Sequence, residues 1–260
     1  MKNIATLFLL IAVSVFTVLP LNGVRAEQDK LPAPQLVTNA WLYIVGYEAD
    51  PEALKEILPE GLKPHPDNRV VLNMYTVPDG SDTSGFGSYT LTYVTIEVEG
   101  HDSYTMNAPN GFPGRYFAYY FNSSPVMREF TKAAGIPAQD GFTTSVVKDG
   151  KLTATLKVDG KPFIVSTADV GSEFEGVVGG HLNYFGLLDT GQSQEVVKYP
   201  IPWIGYPVKT ENPTVTFEMP EDNPLYKLKP KKIDWAVRIK ASFVYPQYQV
   251  LSELQPADKK

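Results

Sequence analysis

Residues 82–99 read Asp-Thr-Ser-Gly-Phe-Gly-Ser-Tyr-Thr-Leu-Thr-Tyr-Val-Thr-Ile-Glu-Val-Glu, and this segment gives the clearest indication of the fold class. Its first half is rich in Gly and Ser, a composition typical of a turn. From Ser88 to Glu99 the side chains alternate with a period of two, so that Tyr89, Leu91 and Tyr93 share one side. Alternation of this kind predicts a loop followed by a β-strand that is buried on one face.

The segments on either side of this strand predict a mostly β protein with two short helices. Asp50–Leu58 is a helix capped by Asp50 with Pro51 at its first position, and Val126–Ala134 is a helix that follows Ser124. Asp-Gly hairpin turns are predicted within 148–151 and 157–161. The other strand-like segments are Ala40–Tyr47, Arg69–Val77, Gly114–Asn122, Lys151–Val158, Pro162–Asp169, Val215–Met219 and Ile233–Tyr245. Many short strands in one domain predict a β-barrel or sandwich with helical decoration, a mostly β (α+β) fold.

Composition excludes several classes of function. The chain has 260 residues, 23 Lys and Arg, and 29 Asp and Glu, which gives a net charge of −6. An acidic chain has no basic surface for nucleic acid, so no nucleic-acid partner is expected. Cysteine is absent, which excludes disulfides, Cys-ligated metals and a thiol nucleophile. The three histidines are far apart in sequence, and no metal site or other cofactor is expected.

Residues 1–26 have the features of a secretory signal peptide. Lys2 precedes a long apolar run, and the segment ends in Val24-Arg25-Ala26, a sequence that a signal peptidase can cleave. We therefore expect a single domain over residues 27–260, periplasmic or secreted, without stable membrane insertion. Removal of Lys2 and Arg25 takes the net charge from −6 to −8.

Several motifs in the chain resemble the acetoacetate decarboxylase family. They are the helix Pro51–Leu62, the Asp82–Thr90 stretch, Asn122–Pro125, Gly135–Pro137 and Asn183–Phe185, in this order. The resemblance implies one domain around a central, cone-shaped antiparallel barrel with an enclosed pocket, and it makes a homo-oligomer plausible. It also implies a reaction in which a lysine forms a Schiff base with a β-keto acid. In this family, desolvation and a cationic neighbour lower the pKa of the lysine amine, and the family is the standard example of this effect.

The positions that carry this chemistry in the family hold other residues here. After Pro137, where the resemblance places the reactive lysine and its lysine neighbour, stand Ala138 and Gln139. The place of the family's pocket glutamate is Leu91, and that of the carboxylate-binding arginine is Asn39. We therefore expect no catalytic residue at these positions.

Other residues offer no replacement for the missing groups. Lys132, Lys157 and Lys161 stand in polar surroundings and are expected at the surface. Glu97 and Glu99 are expected to face solvent at the end of their strand. His181 follows two glycines, which let a backbone approach a ligand closely.

Tyrosine is the residue type that suggests a binding pocket. Strand alternation turns Tyr89 and Tyr93 to the same side as Leu91, and one of two adjacent tyrosines on the next strand, Tyr120, also points inward. The predicted ligand-binding residues are Tyr89, Leu91, Tyr93, Tyr120, Ala138 and His181. They predict a pocket for a small apolar or keto/lactone-type molecule, preferably neutral because Asn39 brings no charge. Alternatively, these rings simply fill the core.

Three functions remain open from the sequence. The first is an exported small-molecule-binding protein that has lost the decarboxylase groups. The second is an enzyme of the lyase, hydratase or cyclase class that acts on a keto compound. The third is a β-keto acid decarboxylase that uses another lysine.

Overall fold

The structure is a computed structural model that describes residues 34–106, 108–191 and 193–251. The predicted signal peptide therefore lies outside the described residues. Two helices, α1 (Pro51–Ile57) and α2 (Pro125–Ala133), accompany twelve strands. The strands are β1 (Gln35–Glu48), β2 (Arg69–Val77), β3 (Tyr89–Thr105), β4 (Ala108–Asn122), β5 (Ala138–Asp140), β6 (Phe142–Lys148), β7 (Lys151–Val158), β8 (Lys161–Phe174), β9 (Val178–Asp189), β10 (Gln194–Phe217), β11 (Lys232–Tyr245) and β12 (Gln249–Val250).

All twelve strands belong to one sheet. The order is β5-β4-β9-β3-β2-β1-β11-β10-β8-β7-β6, with β12 paired to β10 and further pairings between β3 and β4 and between β9 and β10. All pairings are antiparallel except those of β4 with β5 and with β9. The predicted mostly β fold is confirmed, whereas the cone-shaped closure of a barrel stays a prediction.

Local chemistry explains both helices and both short hairpins. The Asp50 carboxylate accepts hydrogen bonds from the Glu52 and Ala53 amides at the start of α1, and the Ser124 hydroxyl accepts one from Met127 in α2. Both turn residues of each hairpin, Asp149-Gly150 and Asp159-Gly160, have positive φ. Two-residue turns of this conformation match the twist of the flanking strands, as the sequence predicts.

Two long strands differ from the sequence-based expectation. β10 has 24 residues, of which only its end was predicted, because prolines at positions 200, 202, 207 and 213 argue against a strand. The strand accommodates them by changing partner: its first part pairs with β9, its middle with β11, and its last part with β8. β3 also continues beyond the predicted Glu99 to Thr105, with irregular pairing to β4 after Val98.

The buried side chains form two apolar clusters. One contains Leu54 of α1 and the following Leu58 with strand residues from β1, β2, β3 and β7, and the other contains aromatic residues such as Tyr93, Tyr120 and Phe243. The second cluster surrounds the cavity described below. Within the described ranges, neither helix is long and apolar enough to cross a membrane.

Candidate functional site

Strand register brings one row of side chains to the same face of the sheet. Residues that lie directly opposite each other on paired strands point to the same side. The row crosses six strands, from β11 to β5, and consists of Val237, Ile44, Asn73, Tyr93, Tyr120 and Ala138. Ala138, the position at which the resemblance expects a reactive lysine, therefore stands in the same row as Asn73 and Tyr93.

A cavity of about 410 Å³ lies against this face. Its walls are mostly apolar and come from β1, β9, β10 and β11, with Leu42, Ile44, Ile201, Val237, Ile239 and Phe243 among the lining residues. Phe112 lines the cavity and is 40% exposed, so the cavity reaches the surface beside this ring. The volume falls in the range of small-molecule sites.

Three hydrogen-bond donors in the cavity wall have no partner within the described part of the chain. They are Asn73 Nδ2, Arg115 Nε and Trp203 Nε1, and all three atoms are buried. A buried polar atom without a partner costs about 1–3 kcal/mol, so each such atom requires an explanation. All three are donors, and a ligand with acceptor oxygens satisfies them.

Arg115 belongs to a buried ionic network with Glu97. Arg115 Nη2 lies 3.6 Å from Glu97 Oε1, and Arg69 Nη1 lies 3.0 Å from Glu97 Oε2. Arg69 Nε also donates to Asp234 Oδ2 at 3.1 Å. Glu97 is only 1% exposed, so the expectation that it faces solvent is wrong. Its period-two position places it on the same face as Tyr93, directly opposite Arg115 on β4. Glu99, by contrast, is exposed as expected.

Two tyrosine hydroxyls lie close together in the cavity wall near Arg115. Tyr93 Oη and Tyr184 Oη lie 3.3 Å apart, and both residues line the cavity. Burial first, and then the neighbouring Tyr184, hold the pKa of Tyr93 well above its ordinary value. Burial opposes the charged form of Arg115, but the oxygens of Tyr184 and Glu97 raise its pKa, so the guanidinium stays charged.

The predicted ligand-binding residues occupy two layers. Tyr93 lines the cavity. Four others are buried in the apolar cluster that forms the cavity wall, without lining the cavity themselves: Tyr89, Leu91, Tyr120 and Ala138. Tyr93 joins the layers, because its ring stacks on that of Tyr120 at a centroid distance of 6.1 Å.

His181 lies apart from this group. It is half-buried, and its ring stacks on the exposed Tyr104 at 6.0 Å. It is not among the described residues that line the cavity.

The other family positions are also placed by the structure. Gln139 is exposed, and Asn39 is an exposed residue with positive φ at an irregularity of β1, where its amide donates to Asp82. None of the lysines in the described ranges is buried, and the three expected at the surface, Lys132, Lys157 and Lys161, are exposed. The preference for a neutral ligand rested on the lack of a cation, and this premise is wrong because Arg115 lines the cavity.

Sequence reasoning missed Asn73, Arg115 and Trp203. Arg115 carried no local signal: period-two counting from Tyr120 turns it to the opposite side, and only the register irregularity between β3 and β4 brings both residues to the same face. No local signal exists for Trp203 either, because β10 was not predicted in this region. Over the described residues, no group of three or more His, Asp or Glu is arranged to hold a metal ion.

Residues 19–254 match the family model of acetoacetate decarboxylase. An acetoacetate decarboxylase from Bordetella avium (strain 197N) is 30% identical over 166 residues, which cover 60% of this chain and 61% of that protein. The match therefore spans less than two thirds of that relative.

Solved structures share the fold at lower identity. An acetoacetate decarboxylase structure has a TM-score of 0.68 at 19% identity, covering 85% of this chain and 90% of that one. The enduracididine biosynthesis enzyme MppR, complexed with pyruvate, has a TM-score of 0.62 at 15% identity and coverages of 86% and 92%. Since the family model matches most of the sequence, the chain belongs to the acetoacetate decarboxylase family.

Proposed function

We propose that this protein binds a small, mostly apolar molecule with a keto or lactone carbonyl in the cavity, and that it has lost the lysine-dependent decarboxylase reaction. The observation that carries the proposal is the apolar cavity with unpartnered donors in its wall. Export through the signal peptide at residues 1–26 and assembly into a homo-oligomer are further parts of the proposal.

The composition of the cavity wall supports an apolar ligand body. Side chains such as Leu42, Ile201 and Phe243 offer contact area but no hydrogen bonds. Transfer of apolar surface from water into such a site contributes roughly 25 cal/mol per Å². A few polar atoms then orient the ligand, as is usual for small-molecule sites.

The unpaired amide donor of Asn73 favours a ligand that carries a carbonyl group. Asn73 is 1% exposed, and its Nδ2 donates to no atom of the described chain. A ketone or lactone oxygen accepts a hydrogen bond but donates none, so it complements a lone donor. Replacing Asn73 by Leu removes the donor while keeping the side-chain volume similar.

The positions around Ala138 support the loss of decarboxylase chemistry. Ala138 stands in the row of Asn73 and Tyr93 but has no amine to form an imine. A Schiff-base lysine needs a lowered pKa, which an apolar or cationic environment provides. No described lysine is buried, so none has the apolar environment.

Binding can be tested on the full chain with N-phenyl-1-naphthylamine, a neutral fluorophore. We expect saturable binding, displacement by 2-decanone and δ-decalactone, and at least about ten-fold weaker probe binding in Leu182→Trp, whose indole fills the cavity. Val146→Trp is the matched control, because Val146 is 59% exposed and outside the cavity. Equal binding by both variants would contradict the proposed site.

The carbonyl contact needs its own variant. Asn73→Leu should weaken the affinity for 2-decanone about five-fold, which corresponds to one hydrogen bond of about 1 kcal/mol. The affinity for the fluorophore should stay unchanged. An unchanged 2-decanone affinity would mean that the carbonyl does not meet Asn73.

A second function is an enzyme that acts on a keto compound. The neighbour MppR, a biosynthesis enzyme complexed with pyruvate, favours this alternative. Borohydride reduction of the full chain with pyruvate or acetoacetate separates the possibilities. We expect an unchanged protein mass; a mass increase on a lysine would support Schiff-base chemistry.

Export and assembly have separate tests. The mature protein is expected to begin near Glu27, which N-terminal sequencing of the secreted or periplasmic fraction checks. Light scattering reports the oligomeric state, and a monomer would refute the homo-oligomer.

A further inference from the structure

The positive charge of Arg115 in the cavity wall bears on the chemical class of the ligand. Arg115 is 4% exposed and is the only charged residue among the described residues that line the cavity. A buried cation is stable only with a close anionic or hydrogen-bonding partner. The partners of this guanidinium therefore decide what the site accepts.

Glu97 satisfies Arg115 only in part. Its carboxylate makes the closer contact with Arg69, at 3.0 Å, while the contact with Arg115 is 3.6 Å. The Nε of Arg115 has no hydrogen-bond partner among the residues that the structure describes. Glu97 is also the only acidic residue that is buried within the described ranges, so these ranges offer no second buried carboxylate to complete the site.

Two tyrosine hydroxyls complete a set of donors beside this guanidinium. Tyr184 lies directly opposite Arg115 in the β4–β9 pairing, and its hydroxyl is 3.3 Å from that of Tyr93. Both tyrosines line the cavity. An oxygen anion that accepts from Arg115 Nε can accept from one of these hydroxyls as well, and charge-assisted bonds of this kind are roughly twice as strong as neutral ones.

We infer that the cavity binds an apolar monocarboxylic acid whose carboxylate pairs with Arg115. The inference rests on the proposed binding function and names its ligand class. One buried cation matches one carboxylate, and the apolar remainder of the wall matches a hydrocarbon body. A dicarboxylate or a sugar phosphate would leave a second charge or many hydroxyls against apolar walls, where such groups are costly.

The test compares octanoate with its uncharged methyl ester on the full chain. Both compounds share the apolar body, and each displaces N-phenyl-1-naphthylamine in competition. We expect octanoate to bind at least about ten-fold more tightly than methyl octanoate, the effect of one charge-assisted contact. Equal affinities for the two compounds would overturn the inference.

Arg115→Met removes the charge and keeps much of the side-chain length. It should lose the octanoate preference while the affinity for methyl octanoate stays within about two-fold of the unmodified protein. Arg128→Met is the matched control, because Arg128 of α2 pairs with Asp140 of β5 and does not line the cavity. A preference for octanoate that survives in Arg115→Met would also overturn the inference.

The outcomes separate this inference from the proposed function. If the fluorophore and both octanoyl compounds fail to bind, the binding function itself fails. If the fluorophore binds but octanoate has no advantage, only the carboxylate inference fails. Should Arg115→Met not fold, as far-ultraviolet circular dichroism would show, the ratio of octanoate to ester affinity in the unmodified protein still decides the inference.

Discussion

Replacement of Glu97 by Gln should destabilise the protein strongly, because it removes the buried charge that Arg69 and Arg115 share. Glu97 is 1% exposed and lies 3.0 Å and 3.6 Å from the two guanidinium groups. Breaking a buried ion pair from one side typically costs 3–5 kcal/mol. Arg69 keeps its bond to Asp234, so the lower end applies, and we expect a loss of about 3 kcal/mol.

Urea unfolding followed by tryptophan fluorescence measures this loss. With a slope of about 3 kcal/mol per molar urea, the midpoint should fall by about 1 M. Glu99→Gln is the matched control: it makes the same change two residues further along β3, at an exposed position, and should stay within about 0.5 kcal/mol of the unmodified protein. Equal midpoints for the two variants would refute the reasoning that Glu97 balances a buried charge.

Three further predictions concern the cavity and its surroundings. The double change Ala138→Lys, Gln139→Lys should destabilise the protein by about 1–3 kcal/mol in urea unfolding, because it buries an amine. The double variant should release only a trace of carbon dioxide from acetoacetate, and robust turnover would contradict this prediction. Gly46→Ala should lower both the urea unfolding midpoint and the affinity for the fluorophore, because the added methyl group meets the ring of the cavity residue Trp235. An unchanged midpoint and affinity would show that this ring moves freely. Partial burial opposes the charged form of Asp234, but hydrogen bonds from a lysine and an arginine lower its pKa overall. The ionised carboxylate therefore stabilises the protein fully above the unfolded pKa of about 4, and this stabilisation is lost as the pH falls through the lower folded pKa. Between pH 5 and lower pH, the urea midpoint should fall less in Asp234→Asn than in the unmodified protein, and identical acid profiles would contradict a lowered pKa of Asp234.

The sequence predicted the elements whose chemistry is local. Alternation from Tyr89 to Tyr93, the cap at Asp50 and the Asp-Gly turns each depend on neighbours within a few residues, and each is found in the structure. β10 was largely missed because its prolines weaken any local strand signal. Only its pairing with β9, β11 and β8 makes this segment a strand.

The candidate site was predicted in part for the same reason. Strand alternation identified Tyr93, which lines the cavity, and the family resemblance identified Ala138, which stands in the same row. The charge of Arg115 was not recognised, because its partners Glu97 and Tyr184 come from other strands. Burial and pairing across the sheet depend on tertiary structure, which local patterns do not contain.

The position of β11 in the sheet has a consequence for how the chain folds. β1, near the start of the described chain, lies between β2 and β11, so Gln35 pairs with Tyr245 near its end. Contacts between such distant parts of the sequence carry a high loop-closure cost and slow the folding transition. Until β11 has been synthesised, β1 and β10 each present an unpaired edge of the kind that invites aggregation. Productive folding of this sheet must therefore wait until β11 has been synthesised.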